Sequence, residues 1–86
     1  MPSPVVLVGH AHACPIHGRG HVTTGTKSGL VHGKEVACAG DKTSCGATII
    51  GGSPGASILG KAIARKGDTT DHGGVLEEGD ASCLVP

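Results

Sequence analysis

Short apolar runs alternate with glycine-containing turns along the chain, and no segment keeps a helical period long enough to predict a helix. The best helical candidate, residues 59–66, contains Gly60 and alternates better as a short strand. Strand-length runs separated by glycine turns are typical of all-β proteins. The pattern therefore predicts an all-β fold of short strands and tight turns, with apolar runs at residues 5–8, 48–50 and 56–59.

A glycine followed five positions later by Cys or His recurs three times in the chain. The second and third copies are 27 positions apart, and a further glycine follows each copy, at positions 25, 52 and 79. Each unit is predicted to contain a Gly-Asp turn, a strand, a glycine turn, a strand, a Gly-Lys hairpin turn and a last strand. The three pairs are Gly9 and Cys14, Gly40 and Cys45, and Gly67 and His72.

The third unit closes only if the end of the chain continues into its beginning. Gly-Lys pairs stand at 33–34 and 60–61, and the third counterpart falls beyond Pro86, where Pro2 takes its place if the chain wraps around. We therefore expect residues 1–86 to form a single domain of three pseudo-threefold units, the third split between adjacent termini. We expect three such units around one axis to form a compact, tapering body. Symmetry is broken within residues 14–21, where the first unit carries its extra residues and two further histidines.

The composition indicates that such a fold needs a source of stability besides its hydrophobic core. The 86 residues include no Phe, Tyr or Trp, the side chains that contribute most to an ordinary core. A small domain without them usually relies on a metal, on disulfides or on a partner. Four cysteines are present, and in a protein that folds in the cytosol a metal or free thiols are favoured over disulfides.

The charge pattern argues against two classes of partner. Seven basic and seven acidic residues give no net charge, whereas nucleic acids and anionic membranes require a basic face. No apolar run approaches the 18 residues of a membrane span, and the N-terminus lacks the features of a signal peptide. We therefore expect a cytoplasmic monomer without a cleaved signal, with no nucleic-acid partner and no stable membrane association.

Enzymatic signals are weak, and we expect a protein that is not an enzyme. Residues 55–61 resemble a phosphate-binding loop, but Ala62 stands where that motif requires Ser or Thr. Cys45 and His72 could in principle form a hydrolase pair, yet the chain offers no aromatic wall for a substrate pocket. Glu77 and Glu78 are adjacent, so in a strand their side chains would face opposite sides.

Histidine and cysteine are concentrated at the repeated turns. If the three turns converge on one axis, Cys14, Cys45 and His72 approach each other, and His12 and His21 come from the unit that breaks symmetry. A mixed set of four thiolate and imidazole ligands selects one tetrahedral zinc ion without an open position, which makes the metal structural. Its binding free energy would then contribute to folding. The set favoured by this reasoning is His12, His21, Cys45 and His72, and the competing choice uses the local pair Cys14 and His17.

These motifs together resemble the PAAR-repeat proteins, which cap the spike of the bacterial type VI secretion system. The resemblance rests on the Gly-Asp turns that end in Cys or His, on GSPGASILGKAIARKGD at residues 52–68 and on HGGV at residues 72–75. It covers residues 2–86. In the family the segment before Gly-Asp often reads Gly-Lys-Pro-Ala-Ala-Arg, and here Ala62 and Ile63 replace the Pro and the first Ala.

The resemblance implies a cone that sits as one copy on the blunt end of a trimeric VgrG spike. It also implies a zinc ion near the tip with three His and one Cys, which correspond to His12, His21, Cys45 and His72. Such a tip aids membrane piercing and effector attachment, and the secretion apparatus delivers it into a target cell. The alternative that we consider is a small zinc-binding cargo adaptor that has no spike partner.

Overall fold

The computed structural model describes residues 3–15 and 18–86, without the side chain of Lys27. This part of the chain contains short strands and no helix, so the predicted all-β class is confirmed. No segment within it is a helix that could cross a bilayer. The strands are β1 (Ser3–Val5), β2 (Ala11–Cys14), β3 (Gly18–His21), β4 (Thr26–Val31), β5 (Lys34–Val36), β6 (Ser57–Ile58), β7 (Lys61–Ala62), β8 (Val75–Leu76) and β9 (Asp80–Val85).

The strands pair in small antiparallel groups. Strands β4 and β5 form one hairpin, β6 and β7 form a second, and β2 lies between β3 and β8. Strand β1 pairs with β9, with Ser3 opposite Val85, so the two ends of the described chain lie side by side. The described residues extend over 29 × 25 × 23 Å.

The two hairpin turns lie one residue earlier than the Gly-Lys pairs of the sequence. His32 and Gly33 have φ angles of 53° and 78°, and Leu59 and Gly60 have φ angles of 52° and 80°. Positive φ at both central residues is the requirement of a type I′ turn, which matches the twist of the flanking strands. The lysines therefore begin the returning strands, and the strand expected over residues 59–66 is interrupted by a turn at its start.

A closed ring of backbone hydrogen bonds joins the three units. The Val6 N–H donates to the Ala64 carbonyl (3.1 Å), the Ala64 N–H donates to the Ala37 carbonyl (2.9 Å), and the Ala37 N–H donates to the Val6 carbonyl (2.9 Å). All three residues are buried. Ala37 and Ala64 are 27 positions apart, and Val6 completes the set. The three units thus exchange one equivalent bond around a common axis.

A second set of contacts joins the three units around the same axis. Three isolated antiparallel bridges link neighbouring units, and the 27-residue repeat makes these three bridges equivalent to one another. Because each unit pairs with both others, none of the units presents an unpaired edge at this level. The bridges are Leu7 with Val36, Cys38 with Ile63, and Val5 with Arg65.

The hydrophobic core follows the same symmetry. Its main cluster contains six buried residues, which fall into two sets of three equivalent positions. Each side chain is small or aliphatic, so each contributes at most about 1.5–3 kcal/mol of hydrophobic stabilisation. The core is therefore buried but contributes little hydrophobic stabilisation, as the composition indicates. The two sets are Val6, Ala37 and Ala64, and Val22, Ile49 and Leu76.

Candidate metal centre

The three repeated turns share one backbone geometry. Their glycines have φ angles between 94° and 98°, which side chains disfavour. The next residue accepts a hydrogen bond from the backbone N–H three positions earlier in every copy. In the first unit this acceptor is the Nδ1 atom of His10, whereas the other units use a carboxylate. The donor and acceptor pairs are Leu7 and His10 (3.1 Å), Cys38 and Asp41 (2.7 Å), and Arg65 and Asp68 (2.7 Å).

The turns bring together the residues that stand five positions after each glycine. Potential ligand atoms of Cys14, Cys45 and His72 all lie within 4.8 Å of one another. The His72 Nδ1 atom is 3.7 Å from the Cys14 Sγ atom and 3.8 Å from the Cys45 Sγ atom. The convergence predicted from the repeat is therefore confirmed for these three residues.

Two distances within this cluster suit two ligands of one metal ion. Ordinary Zn–S and Zn–N bonds place a sulfur and a nitrogen ligand about 3.6 Å apart. The two observed S···N distances, 3.7 and 3.8 Å, lie close to that separation. Cys14 is buried, while Cys45 and His72 are half-buried. Two thiols and an imidazole at this spacing could bind a metal ion, and borderline-soft cations such as zinc suit such a donor set.

His12 lies beside the cluster and is fully buried. Its Nδ1 atom is 4.0 Å from the Cys45 Sγ atom, and its Nε2 atom is 3.1 Å from the Thr70 hydroxyl oxygen. A hydrogen bond at one ring nitrogen selects the tautomer and orients the other nitrogen toward a metal. The Nδ1 atom of His12 therefore faces Cys45, but His12 lies outside the three-residue group whose ligand atoms are all within 4.8 Å of one another.

Two threonines occupy the positions equivalent to His12, three residues after each turn glycine. The Thr43 hydroxyl lies 3.2 Å from the Cys45 Sγ atom. The Thr70 hydroxyl accepts a hydrogen bond from the Gly74 N–H at 3.2 Å. Both threonines are buried, so with His12 they form a polar layer next to the cluster. Hydroxyl groups in such positions orient metal ligands.

Residue 74 must be a glycine because it packs directly against the backbone and the His12 ring of the first unit. A Cβ atom at this position would collide with the Ala13 carbonyl oxygen and with the Nε2 atom of His12. The equivalent position in the second unit is the buried residue Ala47. At Gly74 the His12 ring, which replaces the Thr of the other units, and the Ala13 carbonyl together fill the space that a Cβ atom would need.

His21 has an exposed side chain, and the structure does not bring it into the three-residue cluster. Its backbone pairs with Ser44, which is next to Cys45: the His21 N–H donates to the Ser44 hydroxyl (3.1 Å), and its carbonyl accepts the Ser44 N–H (2.8 Å). The alternative ligand His17 lies outside the described residues.

The sequence could have identified two features more directly. Cys14 occupies the same repeat position as Cys45 and His72, and that symmetry is a better guide to the cluster than the histidine-rich first unit. Thr43 and Thr70 share their position with His12, although a threonine alone carries no metal signal. Both features depend on aligning the three units before choosing candidate residues.

One family model matches the chain. The PAAR motif model matches residues 2–51 and, in an overlapping match, residues 17–78. No curated protein matches the chain. The matched ranges include the three repeated turns and all three residues of the cluster.

Proposed function

The chain belongs to the PAAR motif family, whose members are associated with type VI secretion spikes, and on this premise we propose that it caps a trimeric VgrG spike. The cap is a non-enzymatic tip, stabilised by a zinc ion, with one copy on each trimer. It aids membrane piercing and effector attachment and leaves the cytoplasm with the spike for a target cell. The alternative is a zinc-binding cargo adaptor.

The ring formed by Val6, Ala37 and Ala64 is the observation that carries this proposal. The end of a homotrimer presents three equal surfaces, and one chain can match them only if it repeats its own structure three times. We propose that the third unit is split between the termini within a single domain, and the pairing of Ser3 with Val85 supports this arrangement.

The docking face of the proposal comprises the two hairpins and the β1–β9 pair. Leu30 in the first hairpin is 60% exposed, Leu59 at the turn of the second is 80% exposed, and Leu84 in β9 is 52% exposed. Leu30 and Leu84 are equivalent in the repeat. Exposed aliphatic side chains on three related elements suit an interface with a trimer, because a partner would remove them from water.

The metal in this proposal is a structural zinc ion at the repeated turns. The distances support Cys14, Cys45 and His72 as ligands, and we propose His12 as the fourth, with His21 and His17 as the alternatives to test. A bound zinc ion would supply the cross-links between the three turns. The protein side chains position the donor atoms, and the Thr70 hydroxyl orients the His12 ring.

Co-purification with a trimeric VgrG protein tests the proposed docking. The Leu30→Asp and Leu59→Asp variants should lose the spike, because each buries a charge in the proposed interface. Ile50→Asp is the matched control, since Ile50 is as exposed as Leu30 but its equivalents in the other units are the polar residues Thr23 and Glu77. Equal retention of all three variants, or no retention of the parent chain, would contradict the proposal and favour the adaptor.

A further inference from the structure

We propose that the groove between the β4–β5 and β6–β7 hairpins binds a guanidinium group, supplied as an arginine side chain of a protein partner. That the partner is the spike rests on the proposed function, whereas the guanidinium chemistry does not. The groove has a volume of about 420 Å³. It is lined by Gly25, Thr26, Ser28, Cys38, Asp41, Ile58, Leu59 and Lys61.

The molecule contains an internal copy of this groove in which an arginine is already present. The repeat pairs Cys38 with Arg65, Asp41 with Asp68 and Leu59 with Pro86. In that copy the Arg65 Nε and Nη2 atoms donate to the two Asp68 carboxylate oxygens at 3.2 and 3.0 Å. The Nη1 atom donates to the Pro86 carbonyl at 3.0 Å. A guanidinium group therefore fits this geometry within the same chain.

The groove keeps the acceptor side of that arrangement. Asp41 is fixed as Asp68 is, with one carboxylate oxygen accepting a backbone N–H at 2.7 Å. Its other oxygen accepts a long hydrogen bond, 3.4 Å, from the Thr24 hydroxyl. Among the described side chains, no ion pair within 4.0 Å involves Asp41. The carboxylate thus offers an oxygen to a forked donor, the geometry that arginine matches best.

The wall opposite the carboxylate also follows the internal copy. The Thr26 hydroxyl accepts the Ser28 N–H at 3.2 Å, as the Ser53 hydroxyl accepts the Gly55 N–H at 3.2 Å. What differs is Cys38, whose short side chain leaves the space that Arg65 fills in the copy. Burial raises the pKa of the Cys38 thiol, and so does the Asp41 carboxylate, so the thiol stays neutral in the groove.

Among the described side chains that line the groove, Lys61 carries the positive charge that opposes a cation. It is exposed, and its place in the internal copy is taken by Ser3. Its charge lowers the affinity of the groove for guanidinium but does not occupy the Asp41 carboxylate at ion-pair distance. This residue therefore provides a variant that should strengthen binding.

Among the described residues, one of the three equivalent grooves leaves a carboxylate for an external arginine. Arg65 fills the second groove. In the third, Leu7 and His10 replace Cys38 and Asp41. The carboxylate of Asp80, which stands there at the position of Thr26, already pairs with His32 and accepts hydrogen bonds from Ser82. A trimer carries each of its arginines three times, but this cap would bind one copy. The groove would thus fix a single rotational register of the cap on an otherwise symmetric spike.

An NMR titration of the isolated, isotope-labelled chain with N-acetyl-L-arginine methylamide tests the guanidinium site without any spike protein. We expect saturable shifts of the Ser28, Asp41 and Leu59 amides and a dissociation constant on the order of millimolar. N-acetyl-L-lysine methylamide should bind about tenfold more weakly, because it lacks the planar fork. No saturable shift, or equal binding of both compounds, would overturn the proposal.

Three variants locate the binding. Cys38→Arg should abolish it by filling the groove from within, and Asp41→Asn should weaken it about tenfold because the charge is lost while the turn acceptor remains. Lys61→Ser should strengthen it. If Cys38→Arg does not fold, the weaker binding expected for Asp41→Asn and the stronger binding expected for Lys61→Ser still test the site. Unchanged affinity in both would contradict the site, and failure to bind VgrG would affect only the identity of the partner.

Discussion

In the axial core, the cluster of six buried residues around the common axis, the three units place aliphatic side chains at equivalent positions. At the repeated turns the equivalent residues are chemically different. Val22, Ile49 and Leu76 are all buried aliphatic residues that occupy one repeated position. At the turns, one repeated position holds two cysteines and a histidine, and another holds His12 with two threonines. The comparison separates residues that maintain the threefold fold from residues that add chemistry to it.

The same contrast holds for the backbone. The second and third units close their turns tightly with Gly46 (φ 84°) and Gly73 (φ 79°), while the first unit extends into the β2–β3 hairpin. Extra length beside an intact core changes local chemistry without disturbing the axis, since loops tolerate insertions that strands do not. The symmetric core thus tolerates the longer β2–β3 hairpin of the first unit.

Removal of the cluster should produce the largest loss of stability. His72→Ala and Cys45→Ala should each lower the melting temperature by more than about 10 °C in metal-replete buffer, because the proposed metal would add several kcal/mol to the stability of so small a core. Differential scanning calorimetry with metal analysis measures both quantities. His32→Ala is the control. His32 lies outside the cluster, and because its contacts with Asp80 and Ser82 are exposed, their loss should lower the melting temperature far less. Equal melting of all three variants and the parent would contradict a structural role of the metal.

Truncation of the axial core should rank second. Ile49→Ala removes a buried side chain and should cost about 2–5 kcal/mol, measured by urea denaturation. The neighbouring Ile50 is 60% exposed, so Ile50→Ala should change stability by less than about 0.5 kcal/mol. A similar cost at both positions would mean that the core does not follow the repeat.

A methyl group should have opposite effects at two equivalent positions. Gly74→Ala should cost about 1–3 kcal/mol, because its Cβ meets the Ala13 carbonyl and the His12 ring. The native Ala47 fills the same position in the second unit without a clash, so Ala47→Gly should also destabilise. Thermal melting of the two variants checks this, and a stabilised Gly74→Ala variant would disprove the packing described.

The smallest effect should come from the carboxylate of Asp80, whose side chain is 23% exposed. Hydrogen bonds from the Ser82 hydroxyl and N–H, together with nearby histidines, lower the pKa of Asp80. A lowered pKa stabilises the fold above the ordinary value of about 3.9, and this contribution is lost as the pH falls through the lowered pKa. Ser82→Ala should raise the pKa of Asp80, and an NMR titration of the carboxylate measures this change.

The equivalent serine in the first unit supplies the control for this titration. Ser28 donates its N–H to the uncharged Thr26, so Ser28→Ala should leave the pH dependence of stability as in the parent. The melting-temperature difference between Ser82→Ala and the parent should be present at pH 6 and vanish at low pH. A difference that persists at pH 2 would show that the carboxylate is not its origin.

Repetition made the fold predictable. Glycine spacing and short apolar runs were sufficient for the all-β class and for the convergence of Cys14, Cys45 and His72, because symmetry relates distant positions. The exact hairpin turns were less predictable, since Leu59 adopts a left-handed conformation that its sequence does not favour. At this turn, the twist of the flanking strands favours the left-handed conformation over the preference of the leucine.

The individual side chains at the site were harder to derive from the sequence. The exposure of His21 and the burial of His12 depend on which face of the β2–β3 hairpin each occupies, and spacing alone does not fix that face. The groove beside Cys38 was also not predictable, because it becomes visible only when the contacts of Arg65 are known.

The proposed cap can be tested by native mass spectrometry of the purified chain mixed with a trimeric VgrG protein. We expect a complex of three VgrG chains with a single copy of this protein, which carries one zinc ion that chelation removes. Three copies on each trimer, or a metal-free cap that binds equally well, would contradict the proposal.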